Sequence, residues 1–468
     1  MSDPASITVS PGHSDDAKLI QAAINRSRKV MFAPGTYHIG ATLVCGAGTE
    51  LIGGKGVTII LTTPDINIVA AVGKSAVRIS GIAFVQATQG KSASVGAVHF
   101  QNCTLCAVED CIFTCMQWSG VLLNESDRCL VARNRFQDFQ ATLQDSADIT
   151  IYNEAKNNVI TDNECAGGAD HGILIQDPYA GRIPTDNLVA HNEIRGHKAY
   201  GVAVYLPGVG GRDNSRNRII ANRINAISGS ARGGAKGAGI YVVGSFAGGT
   251  VIVSNTVSNC CIETRIRTLV PAAIGINGVP AGPDQIIVSN NKIMGMVQGD
   301  GITISSSSGG AALADNTVEL PPENNGSGPG GLALQGSGIY IHDSSNVSVA
   351  RCNVSALGGG RAFFAYADDA SQSSIDIDGG QYLSASASTV GLTGNGTNVL
   401  SGIRIVGITA RNTGHTNYAI DLAGCDNTML ENNVAIAQGF DALRMSACRN
   451  TRIVGGSYSR RNTPRSPN

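Results

Sequence analysis

Charge is scarce in this chain. Of 468 residues only 15% are charged, and 34 Lys and Arg against 35 Asp and Glu leave a formal net charge of −1. No global field of either sign exists to steer DNA, RNA or an acidic membrane to the protein, so no nucleic-acid partner is expected and any charged ligand has to be recognised locally. Long apolar runs are also missing: no stretch approaches the ~20 residues of a membrane span, so no membrane partner is expected either. The opening residues, MSDPASITVSPG, carry neither the basic start nor the apolar core of a secretory leader. The expectation is a cytoplasmic protein or the mature part of a secreted one. Proline is sparse, 15 residues against 59 Gly, and 42% of the chain is hydrophobic. That composition suits many tight turns between short half-buried strands and argues against disorder.

Twelve Cys are present, but they are dispersed rather than clustered as in a small disulfide scaffold. Cys103 and Cys106 form a CxxC with Cys111 and Cys115 close behind, the one place where zinc has to be weighed. Cys111 and Cys352 fall where other repeats carry Asn, so small buried residues are the preferred reading. No metal and few or no disulfides are expected.

What the chain does have is repetition. Residues 157–177 read NNVITDNECAGGADHGILIQD and residues 187–206 read NLVAHNEIRGHKAYGVAVYL. Each copy has a short apolar run, an Asn, a second apolar position, a small-residue turn and an alternating strand opened by Gly. Asn163 and Asn192 are 29 residues apart, as are Gly172 and Gly201. A fixed period with two short strands per repeat is the signature of a solenoid. The anchor can be followed through Gly81, Cys111, Asn134, Asn163, Asn192, Asn222, Asn255, Asn291, Asn316, Cys352, Gly407 and Asn432. Asn at one corner of successive coils can take a left-handed turn and bond the Asn above and below, so these positions are architecture rather than chemistry.

Near the start, Ser14, Asp15 and Asp16 precede an apolar stripe of Leu19, Ile20, Ala23 and Ile24, which predicts a capped amphipathic helix over about 15–26 that covers the open end of the solenoid. VMFAPGTYHI (30–39) and LIGGKGVTIIL (51–61) then read as strand, turn, strand. The run SDDAKLIQAAIN, VMFAPGTYHIGATLV, LIGGKGVTIIL resembles the start of the pectate-lyase-like (pectin-lyase-like) superfamily. The resemblance rests on motifs over the first 60 residues and on repeat grammar thereafter. It implies an all-β fold, a single-stranded right-handed parallel β-helix with an N-terminal capping helix. One domain over 1–468 is expected, with the cap in 1–27, coils over 28–458 and a disordered tail over 459–468.

The strands GVLLN (120–124), DITIY (148–152), GILIQ (172–176), GVAVY (201–205), GIYVV (239–243), AIGIN (273–277), GITIS (301–305), GIYIH (338–342) and AFFAY (362–366) alternate with period two. Ile173, Ile175 and their counterparts are directed inward, and Gln176, Tyr205, Tyr241, Asn277, Thr303, Tyr340, His342 and Tyr366 outward. Segments 177–187, 206–218, 228–238 and 260–272 are longer than a solenoid corner needs and are read as the walls of a groove for a linear polymer. Segment 306–337, rich in Gly, Ser, Ala and Pro, reads as a mobile bulge.

Two constellations of chemical side chains follow from this register. The first has Asp145 and Asp148, then Asp170 and His171, then Lys198 and Tyr200, from three consecutive coils. Tyr152, Gln176, Tyr205 and Tyr241 line the adjoining floor, and Arg182 in the following loop is placed for an acidic group on a substrate. The second has Asp300, Gln335, Tyr340, His342, Asp343, Arg361 and Tyr366, with Asp368 and Asp369 behind them.

The family resemblance implies a carbohydrate-active protein with a polysaccharide or oligosaccharide partner and several chemistries. Polygalacturonase-like hydrolases carry NTD, DD, GHG and RIK on neighbouring coils; here GDG (299–301) and DHG (170–172) are several coils apart and in another order, and no RIK occurs. Uronan lyases and C5-epimerases need a cation at the C6 carboxylate, a base for the C5 proton and an acid, roles that Lys198, Arg182, His171 and Tyr200 fill, with Asp170 orienting the His. The YGxDPH motif of mannuronan epimerases is absent; only Asp177 and Pro178 stand in its place. No cofactor is required, although Asp145, Asp148 and Asp170 make the outward carboxylate cluster of a calcium-dependent lyase possible. A polysaccharide lyase is the preferred expectation, with a glycoside hydrolase, a C5-epimerase and a non-catalytic glycan-binding or tailspike-like adhesin as alternatives. Oligomeric state is left open.

Overall fold

The computed structural model describes residues 6–92, 94–139, 143, 145–177, 181–207, 215–228, 237–260, 272–280, 284–296, 299–322, 326–327, 333–334 and 336–461. Backbone contacts divide these into two compact units, one holding 6–207 and 215–224, the other 225–228 and 237–461.

In the first unit the chain enters as the strand Ile7–Val9 and forms one helix, Ala17–Arg26. Ala17, Ile20, Ala23 and Ile24 make its buried stripe. Leu19, expected in that stripe, is 38% exposed instead, because Ala17 takes the inward position. The cap comes from Asp15, whose Oδ1 accepts the Ala17 and Gly40 N–H groups at 2.9 and 3.1 Å. These two bonds hold its carboxyl below the usual range. The Gln21 amide bonds both the N–H and the carbonyl of Val44, at 2.8 and 3.0 Å. It thereby satisfies the open edge of the two-residue strand Leu43–Val44.

Later coils up to residue 446 contribute three strands rather than two. In the repeat around Asn163 they are Val159–Thr161, Glu164–Ala166 and His171–Gln176. The short apolar run and the lone apolar position on either side of the Asn are both strands, each too short to show an alternation. Corresponding strands of successive coils pair in parallel, Val159 with Leu188, Glu164 with Glu193 and His171 with Tyr200, so that three parallel sheets enclose the interior. The second unit repeats this plan, for example in Ile286–Ser289, Lys292–Met294 and Asp300–Ser305.

The interior is filled by columns of like residues one strand spacing apart. Phe84, Phe113 and Phe136 stack at 5.3 and 4.8 Å in the second sheet, and Ile149, Ile173 and Val202 align in the third. Each such side chain contributes ~1.5–3 kcal/mol when fully buried. The Asn anchors are buried, and each bonds the next: Asn134 Nδ2 to Asn163 Oδ1, Asn163 to Asn192 and Asn192 to Asn222, at 2.9–3.0 Å. A second ladder, Asn158–Asn187–Asn217, occupies the corner before the first-sheet strands. The left-handed turn does not belong to the Asn but to the residue before it. Arg133, Asp162, His191 and Ala221 all have φ of 54–56°. In the last coils the buried anchor is Asn433, and Asn432 is the left-handed residue before it.

Residues 311–314 and 317–320, placed in a bulge by their composition, are coil strands in sequence with their neighbours, with Asn316 between them in the ladder. Residues 459–461 of the expected tail belong to the strand Ser457–Arg461. Residues 462–468, most of the wall segments and Gln335 lie outside the described residues. The eleven described Cys are free thiols, nine of them buried.

Candidate functional site

In the first unit the strands Ala147–Tyr152, His171–Gln176 and Tyr200–Tyr205 pair with Ala147 opposite His171 opposite Tyr200, and with Tyr152 opposite Gln176 opposite Tyr205. Two rows therefore run along the outer face. Leu174 and Ala203, between the rows, join Ala147 of the first row in a small apolar floor on which Tyr200 packs. The register read from the sequence is the one the strands adopt.

His171 and Tyr200 lie flat against each other, ring centres 5.3 Å apart and planes 9° from parallel. His171 is 4% exposed and Tyr200 half-buried. The His171 Nδ1 is sealed and without a hydrogen-bond partner, while Nε2 lies 3.7 Å from Asp145 Oδ1. That is beyond a hydrogen bond but close enough to favour the proton on Nε2, since a buried N–H at Nδ1 would be left unpaired. The Asp145 side chain is 46% exposed, so Nε2 is turned towards the open side. Asp170 does not orient His171 by a hydrogen bond. Its Oδ2 accepts the Asp145 N–H at 3.1 Å, and burial raises its pKa against the pull of His171 and Lys198. Lys198 is half-buried beside it.

Two residues of this constellation are placed otherwise than the sequence suggests. Asp148 points into the interior, fully sealed, with its Oδ2 3.0 Å from His197 Nε2. It does not join Asp145 and Asp170 in an outward carboxylate cluster. Arg182 is engaged by Glu125 at 2.5 Å, two coils away, and its backbone N–H and that of Gly181 donate to Asp177 Oδ2 at 3.0 and 2.7 Å. His197 escaped notice because it stands beside Lys198 without a motif of its own. In the outer row Gln176 is half-buried, Tyr205 is 42% exposed, and Tyr152 meets the edge of Trp118 at 6.3 Å.

The second unit holds the other constellation. Tyr340 stacks on Phe364 at 5.5 Å and His342 on Tyr366 at 6.0 Å. The Arg361 guanidinium lies 3.9 Å above the Phe364 ring, in the space left by Gly391, where a Cβ would come within 2.7 Å of the Arg361 Cδ and 2.8 Å of its Nε. Phe364 thus has both faces covered, and no sugar can stack on it. Burial lowers the Arg361 pKa; the nearby Asp421 is bound in two places by Arg444, at 2.7 and 2.8 Å, a pair the sequence did not signal. Asp343 accepts the backbone N–H groups of Asp368, Asp369 and Ala370 and lies 3.3 Å from His342 Nε2. Asp300 is 1% exposed, accepts from Thr303 Oγ1 at 2.7 Å and from the Ser337 N–H at 2.6 Å, and is pushed up to about 7 by burial. Tyr241 also belongs to this unit and accepts a bond from Asn277 at 3.3 Å. Among the described residues, no group of three or more His, Cys, Asp or Glu is placed to hold a metal ion.

Three-strand coils, parallel sheets, stacked interior columns and Asn ladders define the class: this is an all-β parallel β-helix. Residues 38–229, less than half of the chain, match the model of the family described as periplasmic copper-binding protein (NosD). Among solved structures, the chain is similar to a double mutant of the tailspike protein of E. coli bacteriophage HK620 in complex with pentasaccharide, with 11% identity, a TM-score of 0.55 and coverage of 95% of this chain and 78% of that one. It is also similar to the surface adhesin PfbA of Streptococcus pneumoniae, with 13% identity, TM-score 0.48 and coverage of 88% and 92%. A third is the periplasmic alginate epimerase AlgG, with 12% identity, TM-score 0.49 and coverage of 86% and 85%. No curated protein gives a significant match. At such identities the likeness concerns the fold.

Proposed function

We propose that the protein is a carbohydrate-active enzyme that cleaves a uronate-containing polysaccharide by β-elimination on the outer face of the first unit. The observation that carries this reading is the stacked His171–Tyr200 pair, in register on adjacent coils, with Lys198 and the carboxylates of Asp145 and Asp170 beside it. A proton next to a uronate carboxylate is far too weakly acidic for a side chain at neutral pH unless the charge is stabilised as it forms. Lys198 neutralises the carboxylate, Tyr200 as its phenolate takes the C5 proton and returns it to the departing O4 oxygen as the C4–O4 bond breaks, and the Nε2–H of His171 stabilises the negative charge that develops between them. Asp145 keeps that proton on Nε2. Rigid strands rather than loops set these positions. The tailspike of like fold holds a pentasaccharide, which agrees with a sugar ligand on such a scaffold.

The test is a panel of acidic and neutral polysaccharides followed for ultraviolet absorbance of the unsaturated uronate and for new reducing ends. Both signals together support the lyase. Reducing ends alone mean hydrolysis, and solvent deuterium appearing at C5 without cleavage means epimerisation. His171→Ala and Tyr200→Phe are each expected to lower turnover by ~10² to 10⁴ with the fold intact. Turnover retained in both variants moves the site to Asp300, His342 and Arg361.

A further inference from the structure

Beneath this strip, inside the first unit, lies a polar pair with no part in the reaction above. Asp148 and His197 are sealed from solvent and joined at 3.0 Å. Apolar side chains are the rule in such an interior, because removing two charged groups from water costs several kcal/mol per ion before their attraction is counted. The chain makes room for them in two columns. In the third sheet Asp148 stands in the column of Gly120, Gly172 and Gly201. A Cβ at Gly120 would lie 2.6 Å from Phe136, and one at Gly172 2.5 Å from Ile194, each a second-sheet residue of the following coil. A side chain fits this column only where that facing residue is small. The second-sheet column reads Phe136, Cys165, Ile194, and the residue facing Asp148 is Cys165. Its thiol bonds the Asp148 carboxyl, whose pKa burial raises against the pull of His197.

The pair spans three coils. Asp148 follows Asp145 and Ala147, His197 precedes Lys198 and Tyr200, and the coil between them carries Asp170 and His171. The His171 N–H donates to Ser146 at 2.9 Å, and the Ala199 and Tyr200 N–H groups donate to the Asp170 carbonyl at 2.7 and 3.2 Å. The bond from 148 to 197 therefore clips the two outer segments together across the middle one. We infer that Asp148 and His197 are positioning residues of the strip above them, fixing the lateral offset of the three coils so that His171, Tyr200 and Lys198 meet one sugar ring. This rests on the strip being the reacting site. An apolar interior would hold the coils together as firmly, but apolar contacts have no direction and allow the coils to slide.

The experiment replaces the pair and the facing thiol by glycine and aliphatic residues of the kind that fill the rest of the interior, Asp148→Gly with Cys165→Val and His197→Leu. The triple variant is expected to melt cooperatively at a Tm no lower than wild type, while kcat falls ~10-fold or more and KM stays within about twofold. Asp148→Asn, which keeps an acceptor for His197, is expected to retain nearly the wild-type kcat. A merely structural pair predicts the reverse: lower Tm and unchanged kcat in the triple variant. That result overturns the inference. If the triple variant does not fold, Asp148→Ser, too short to reach His197, carries the same kcat expectation. If the wild-type protein eliminates no acidic polysaccharide, the reading of the strip fails by itself. The clip is then judged by nitrogen NMR of the histidine side chains: changed shifts and apparent pKa of His171 in the variant support it, and unchanged ones overturn it.

Discussion

A carboxyl group sealed from water resists ionising, and Asp300 is the clearest case in this chain. Its folded pKa of about 7 lies above the unfolded value of ~3.9. Between those two pH values the native protein holds a proton that the unfolded chain has released, so stability falls as pH rises through that window and levels off above it. Asp300→Asn removes the dependence. Thermal unfolding of both proteins at a series of pH values should show the variant gaining on wild type from about pH 4 to about pH 7, by up to ~4 kcal/mol. A difference that does not vary with pH would show that Asp300 ionises normally. Residue types are legible in a sequence at this scale, but their partners are not. Arg182 reads as a free cation for a substrate, yet it is held by Glu125, 57 residues earlier.

At the scale of the element, the Asn ladder is the part most open to a stability measurement. Asn163 Oδ1 accepts both the backbone N–H and the Nδ2 of Asn134 at 3.0 Å, and its own Nδ2 reaches the Val131 carbonyl at 2.9 Å. Asn163→Leu leaves these buried groups unpaired and should lower unfolding free energy by ~2–4 kcal/mol in chemical denaturation. Gly172→Ala should cost ~1–3 kcal/mol or more, since the new methyl would lie 2.5 Å from Ile194 and 2.7 Å from the Gly201 carbonyl. The Asn period was legible because the same residue recurs once per coil, 29, 29 and 30 residues apart from Asn134 to Asn222. The left-handed turns were not, because Arg133 and Ala221 adopt φ of 55° and 54° and no local preference of Arg or Ala asks for that. The paired coils on either side impose it, and the bonds of the ladder offset the strain.

At the scale of the whole chain the thiols give a simple reading of how tightly the coils are closed. Nine of the eleven described Cys are buried, and burial pushes Cys45, Cys111 and Cys260 up to about 12. Alkylation of the native protein followed by peptide mass spectrometry should label Cys115 and Cys448, which are only partly covered, well before Cys45, Cys111 and Cys260. Early labelling of the buried set would mean that the coils open readily. The sequence by itself determined the fold class, the parallel register of the third-sheet strands, the first Asn ladder and the capping helix, because each is written as a period or a local stop signal. Tertiary structure alone decided which way a side chain turns where the period breaks. At the start of a third-sheet strand two successive residues face inward, so alternation directs Asp148 outward while the chain turns it onto His197, 49 residues away, in the space Cys165 leaves. Burial and pairing of that kind arise between coils, and no pattern within one coil encodes them.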